Sequence, residues 1–326
     1  MSAKKESLSD MRLHSAAVKG DVEKLRQISE TGKVCVDSVD KEGTTPLILA
    51  AANNHIDCIT ELLDQGADPN LKRETGTTAI FFASQGGYLE IVSLLINSKA
   101  EFDSPSKGGG TPLIVACQCN HLPVVEILVE NGANIHQQMD DGATALFIAA
   151  QSGNLDIVKY LIIYGADVNL CRTDGASPLW ISAQMGHFEV LSELLYHRAT
   201  VDAAREDGVT PLFKASHKGH VECVRELLKC GANTGLMANG ESALHAAALH
   251  GHLTIVNKLV QSGADVNLKN KEGVRPIDLA RDADYTLIVE FLKTCNPGDE
   301  APCYTSSTED KVILDLEDRD QVETNC

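Results

Sequence analysis

The side chains of this chain best suited to metal binding, acid–base work or nucleophilic attack are its histidines and cysteines, and their spacing argues against all three. His55, His121, His187, His220 and His252 return in one turn slot, while His14 and His245 share a second slot. Periodic histidines on a repeating frame are placed to bond backbone groups between neighbouring units, because buried polar groups need partners. Cys117 and Cys119 form the one close cysteine pair, and zinc-binding spacing needs a second pair that does not follow. Cys58, Cys117 and Cys223 fall on core-facing positions and read as small hydrophobes. Cys119, Cys171 and Cys230 fall on expected exposed positions, where a thiol reacts if its pKa is lowered. Gly108-Gly109-Gly110 lacks the Lys-Ser/Thr that completes a phosphate-binding loop. Neither a Gly-x-Ser-x-Gly elbow nor a His-Glu-x-x-His pair occurs. The expectation is no catalytic residue, no metal ligand and no cofactor: not an enzyme.

The elements that position these residues repeat. Gly43, Gly76, Gly109, Gly142, Gly175 and Gly208 lie 33 residues apart, and Gly240 and Gly273 continue the series after one deletion. Around each glycine one phrase returns, from GTTPLILAA through GATALFIAA and GASPLWISA to GVRPIDLAR. A second phrase follows, as in LLDQGADPN, LIIYGADVN and LVQSGADVN. Thr45-Pro46, Thr111-Pro112 and Thr210-Pro211 place a hydroxyl N-cap before a proline at the first helical position. Leu47, Ala50 and Ala51 recur at i, i+3 and i+4, which gives a short helix with one apolar, small-residue face. A break such as Gly153-Asn154 or Gly186-His187 follows. The second helix carries Ile157, Val158, Leu161 and Ile162 and ends at a left-handed glycine such as Gly165. Asp141-Gly142, Asp174-Gly175 and Asp207-Gly208 make tight turns that project a finger to the next unit. Lys99 and Arg198 replace the helix-ending glycine at a cost of about 1 kcal/mol each, so the chain is expected to be softest there.

Composition narrows the partners. Acidic residues outnumber basic ones 46 to 28, for a net charge of −18, which argues against binding a nucleic-acid backbone. No run of about 18 apolar residues exists, so no membrane insertion is expected. The opening MSAKKESLSD lacks an apolar core, so no secretory signal is expected. Ten cysteines beside it point to a reducing compartment, the cytoplasm, with the nucleus also open. Hydrophobic residues make up 43% of the chain and aromatics only 4%, a balance suited to close-packed small-residue helices rather than a sheet sandwich.

The repeated phrases resemble the ankyrin repeat, whose signature runs Thr-Pro-Leu-His-x-Ala-Ala, then Gly-His, then Leu-Leu-x-x-Gly-Ala-x-Val-Asn. The resemblance covers residues 8–295 and implies an all-α ankyrin-repeat solenoid of about nine helix-turn-helix units with β-turn fingers. The units lie near 8–40, 41–73, 74–106, 107–139, 140–172, 173–205, 206–238, 239–270 and 271–295. A flexible N-terminus at 1–7 precedes them and an acidic disordered tail at 296–326 follows. No hairpin of this kind buries its own apolar face, so stacking must complete the core. The sequence predicts a long curved rod with a concave side. The first unit should have a polar outer face, and the last, around Arg281-Asp282-Ala283-Asp284, should close the stack.

On such a scaffold a partner meets the variable positions. Gln85, Gln118, Gln151 and Gln184 recur at one slot, with His217 next in line. Two readings stand: amides bonding to one another and to finger backbone, or a row of donors and acceptors gripping an extended peptide. Phe81, Phe147, Trp180 and Phe213 replace His in the Thr-Pro-Leu-His slot and read as core at the finger base. Tyr164, Met185 and His197 occupy variable slots and are anchor candidates. The fingers are acidic (Glu42, Glu74, Asp140, Asp141, Asp174, Glu206, Asp207 and Glu272), so a partner with a basic segment is the complement. Asn70, Asn169 and Asn267, each with Leu eight residues upstream, resemble ankyrin-repeat substrates of asparaginyl hydroxylase.

After Cys295 the periodicity stops, and residues 296–326 hold nine acidic residues against Lys311 and Arg319. Such a segment has too little apolar surface to fold alone. Within it Val312, Ile313, Leu314 and Leu316, followed by Glu317-Asp318, resemble a SUMO-interacting motif and, less closely, a clathrin box. A solvated linker, or a strand folding back on the rod, is the alternative. The whole reads as a non-catalytic interaction scaffold or adaptor, monomeric by itself, that binds a protein partner on the concave surface. The alternatives are an inhibitory ankyrin protein that occludes a kinase or phosphatase, and a substrate receptor of a ubiquitin ligase.

Overall fold

In a computed structural model of the chain, which describes residues 7–30 and 34–295, each period folds into two short helices joined by a tight turn. The result is an all-α repeat solenoid of nine helix pairs, with no strand among the described residues. The chain divides into two compact units between Pro178 and Leu179. The first holds the pairs α1 (Leu8–Lys19) and α2 (Val22–Glu30), α3 (Pro46–Ala52) and α4 (Ile56–Asp64), α5 (Ala79–Gly86) and α6 (Leu89–Asn97), α7 (Pro112–Gln118) and α8 (Leu122–Glu130), α9 (Ala145–Ser152) and α10 (Leu155–Ile163). The second holds α11 (Pro178–Met185) apart from its first residue, and α12 (Phe188–Tyr196), α13 (Pro211–Lys218) and α14 (Val221–Lys229), α15 (Ala243–Leu249) and α16 (Leu253–Gln261), α17 (Pro276–Asp282) and α18 (Thr286–Thr294). Among the described residues no helix is long and apolar enough to cross a membrane.

Helices of seven to nine residues would not persist alone in water. Two things hold them. The first is local: Thr45, Thr111, Thr144 and Thr210 each accept the backbone N–H three residues on, at 3.2–3.3 Å. The second is stacking. Within the first unit α3 packs on α5, α5 on α7 and α7 on α9, through fully buried Ala50, Ala51, Ala83, Ala116, Ala149 and Ala150. The second helices form the other layer, where Ile157, Val158 and Leu161 are fully buried. Each such aliphatic side chain contributes about 1.5–3 kcal/mol by leaving water.

Fingers join successive pairs. Asp141, Asp174 and Asp207 each accept the N–H two residues on, at 3.0–3.1 Å, which shapes the turn before the following helix. In the first unit the fingers also bond one another, through Glu74 N–H to Glu42 O (2.9 Å), Lys107 N–H to Thr75 O (2.8 Å), Asp140 N–H to Gly108 O (3.1 Å) and Thr173 N–H to Asp141 O (2.9 Å).

Lys99 and Arg198 do take the left-handed conformation, at φ 65° and 66°. So do Asn54, Asn120 and Asp284 in the turn within a pair, which the glycine pattern alone does not reveal. Asn and Asp tolerate that region best among non-glycine residues. The first repeat departs from expectation: α1 leaves Leu8, Met11 and Val18 exposed, so its surface is mixed rather than polar. At the other end Arg281, Asp282 and Asp284 are exposed, as the sequence predicts.

Candidate interaction site

The histidines act as clamps. His55 Nε2 lies 2.9 Å from Val18 O and His121 Nε2 3.0 Å from Gln85 O in the first unit. In the second, His220 Nε2 lies 3.0 Å from Gln184 O and His252 Nε2 3.3 Å from His217 O. Each ring donates to the carbonyl at or near the end of the preceding first helix, where helical partners run out. Asn154 does the same work with Nδ2 on Cys117 O, at 2.7 Å. His14 and His245 reach carbonyls too, Ser38 O at 3.0 Å and Val274 O at 3.1 Å. Trp180 Nε1 copies His245, donating to Val209 O at 2.9 Å. Among the described residues no group of three or more His, Cys, Asp or Glu is arranged to hold a metal ion.

The clamps fix the backbone from which the glutamines project. Gln85, Gln118 and Gln151 are exposed at the ends of α5, α7 and α9. The side-chain amides of Gln85 and Gln118 bond to nothing among the described residues, whereas Gln151 has a partner. In the second unit Gln184 is half-buried and Met185 beside it is exposed. His217 occupies the next slot and is half-buried: its ring meets His250 edge-on at 4.2 Å and stacks at 6.3 Å on Phe213. Burial, then the neighbouring His250 and Lys214, hold its pKa below the usual imidazole value. The His217 ring thus packs against aromatic neighbours on its own helix and the next pair.

Tyr164 lies elsewhere. It caps α10 and stacks on Tyr160 with ring centroids 4.4 Å apart. α10 starts beside Gln151 and runs nine residues, about 13 Å, to reach it. Tyr164 and Gln151 thus stand at opposite ends of one hairpin. His197, capping α12, is half-buried and 3.1 Å from Glu193 Oε1.

The finger acids are partly engaged. Asp174 pairs with Arg172 at 2.6 Å and Asp141 with the same arginine at 4.0 Å, while Asp207 pairs with Arg205 at 3.2 Å. Both guanidinium groups lie over aromatic faces, Arg172 over Phe147 (5.3 Å) and Arg205 over Trp180 (5.0 Å). Phe147 and Trp180 are buried, whereas Phe81 and Phe213 are only half-buried. The signal for these stacks was present as Arg-x-Asp-Gly at Arg172 and Arg205. Glu42, Glu74, Asp140, Glu206 and Glu272 are exposed.

Asn70 is occupied structurally: its Oδ1 accepts Glu101 N–H at 2.7 Å and its Nδ2 donates to Lys99 O at 3.3 Å. Asn169 and Asn267 are also partnered. Cys58, Cys117 and Cys223 are buried, and burial pushes their thiols up, Cys223 to about 12. Cys119 and Cys171 prove half-buried rather than exposed; Cys230 is exposed. Partial burial raises the Cys171 and Cys230 pKa values, the opposite of nucleophile activation. Val312, Ile313, Leu314 and Leu316 lie outside the described residues.

A family model described as ankyrin repeats (3 copies) matches residues 5–73, 66–139, 131–207 and 198–270. Ankyrin repeat domain-containing protein 29 of Danio rerio is 48% identical over 74 residues, 23% of this chain and 25% of that protein. Its counterpart from Homo sapiens is 48% identical over 73 residues, 22% of this chain and 24% of that protein. The human DNA-binding protein RFXANK is 34% identical over 71 residues, 22% of this chain and 27% of that protein. The aligned stretches thus span about a quarter of these relatives.

Proposed function

Because the chain belongs to the ankyrin-repeat family, whose repeats are protein–protein interaction modules, we propose that it is a non-catalytic adaptor that grips an extended, basic segment of a partner protein. The observation that carries this reading is the exposed amide row of the first unit. Gln85, Gln118 and Gln151 recur at equivalent helix ends, on a backbone pinned by His121 and Asn154. A fixed backbone lowers the entropy lost on binding. An amide both donates and accepts, so a regular row suits the main chain of an extended peptide. Exposed Glu74 and Asp140 at the finger tips supply the negative rim that a basic segment would meet. Asp141, Asp174 and Asp207 serve mainly to shape the turns and hold the arginines, and Gln184 with Met185 offers a smaller, separate contact.

Proximity labelling from the intact chain, beside a Gln85→Ala/Gln118→Ala/Gln151→Ala variant, tests the reading. The expected result is loss of a defined set of proteins from the variant, while Tyr164→Ala keeps them. Identical sets for the triple variant would show that the partner does not use these amides.

A further inference from the structure

In the second unit α14 and α16 pack with their C-terminal halves side by side, and between them opens a shallow groove of about 250 Å³. Arg225, Leu228, Lys229, Lys258, Gln261 and Ser262 line it. Three of the six are cationic, on a chain whose net charge is −18. Arg225 and Lys229 are answered by Glu222 and Glu226 of their own helix, the latter at 3.1 Å. Lys258 forms no ion pair among the described residues. Leu228 gives the groove a half-buried apolar floor between these charges.

The chain leaves the described region next to this groove. α18 packs on α16 as α16 packs on α14, so Thr294 and Cys295 emerge beside Gln261 and Ser262. Packed helices lie about 8–10 Å apart, which puts Lys258 one spacing from Cys295 and Lys229 two. Fourteen residues separate Cys295 from Glu309, and a chain of that length can reach about 45–50 Å, more than the farther of the two requires. Residues 309–320 then bring Glu309, Asp310, Asp315, Glu317, Asp318 and Asp320, set around the apolar run Val312–Leu316. Acids flanking apolar residues are the complement of cations flanking Leu228.

We propose that residues 309–320 of this chain dock in the α14–α16 groove, with the apolar run against Leu228 and the carboxylates against Arg225, Lys229 and Lys258. Docking there conceals the apolar–acidic segment from any outside reader of it, so that occupancy of the groove and capture of the segment by another protein exclude each other.

Zero-length carbodiimide cross-linking of the full chain, followed by peptide mass spectrometry, tests this. Cross-links should join Lys229 and Lys258 to Asp315, Glu317 or Asp318 within one chain, and should fall at least threefold when salt rises from about 0.05 M to about 1 M, where screening shortens to about 3 Å. Arg225→Glu, which leaves the reporting lysines in place, should cut the Lys258 yield at least threefold. A synthetic peptide of residues 305–322 added to the unaltered chain should do the same without any substitution. Cross-links spread over Lys24, Lys159 and Lys271 in proportion to exposure would overturn the proposal. So would cross-links found only between labelled and unlabelled chains in a mixture, which would make a second copy the occupant.

Discussion

Two left-handed glycines of the first unit separate the cost of backbone strain from the cost of a closed contact. Gly132 follows α8 at φ 96°, and a Cβ built there meets nothing within 4 Å. Gly109 sits in a finger at φ 81°, where a Cβ would stand 2.7 Å from Met139 Cα and 2.8 Å from Asp140 N. Gly132→Ala should therefore cost only the left-handed penalty, about 1 kcal/mol. Gly109→Ala incurs that penalty and must also push the next finger away. That finger is held by Asp140 N–H to Gly108 O at 3.1 Å and Met139 N–H to Ala143 O at 2.8 Å. Weakening two backbone bonds at about 1 kcal/mol each, with overpacking of about 1–3 kcal/mol and the left-handed penalty, brings the expected total to about 4–6 kcal/mol. Urea unfolding of the full chain, read by circular dichroism, gives the two midpoints, and amide hydrogen exchange at Met139 and Asp140 locates the damage. Gly109→Ala should lower the midpoint more and speed exchange at both amides. Equal losses for the two variants would refute the reasoning, because contact between fingers would then contribute nothing.

Three further outcomes follow from the same geometry. Lys99→Gly relieves a left-handed residue at φ 65° and should slow exchange at Ala100 while raising stability by up to about 1 kcal/mol; unchanged exchange would mean that junction is not soft. Trp180→Phe removes the Nε1–Val209 O bond and should cost about 1–2 kcal/mol, whereas Trp180→His should recover part of the loss, as His245 bonds Val274 O in the equivalent place. Asp278, bonded by the Arg275 guanidinium, has its pKa lowered to about 2. Its folded value lies below the unfolded one, so its stabilisation is complete above about pH 4 and lost as pH falls towards 2. Asp278→Asn should cost about 1 kcal/mol at neutral pH, given its partly exposed site, and acid titration of the unfolding midpoint should show a shallower fall in that window.

What could be read in the sequence was what is local or periodic. Thr45 and Thr111 cap because their partners lie three residues away, and His55, His121, His220 and His252 bond backbone because the preceding unit presents each with the same carbonyl. Lys99 and Arg198 were legible as departures from a glycine slot. What escaped depends on residues a full period apart. His217 stands in the glutamine slot, yet its ring packs edge-on against His250 on the next pair. Tyr164 shares variability with Gln151, but the length of α10 carries it to the far end of the hairpin. Trp180 was recognisable as core, while its bond to Val209 O needs the following finger in place. The α14–α16 groove escaped for the same reason: Arg225, Lys229 and Lys258 are ordinary surface cations until two helices bring them together.

The central claim is that a partner lies along the helix ends and fingers of the first unit. Amide hydrogen exchange of the full chain, free and bound to the protein recovered by labelling, tests it most directly. Added protection is expected at the C-terminal ends of α5, α7 and α9 and around Glu74 and Asp140. Protection confined to α4, α6, α8 and α10 would contradict it.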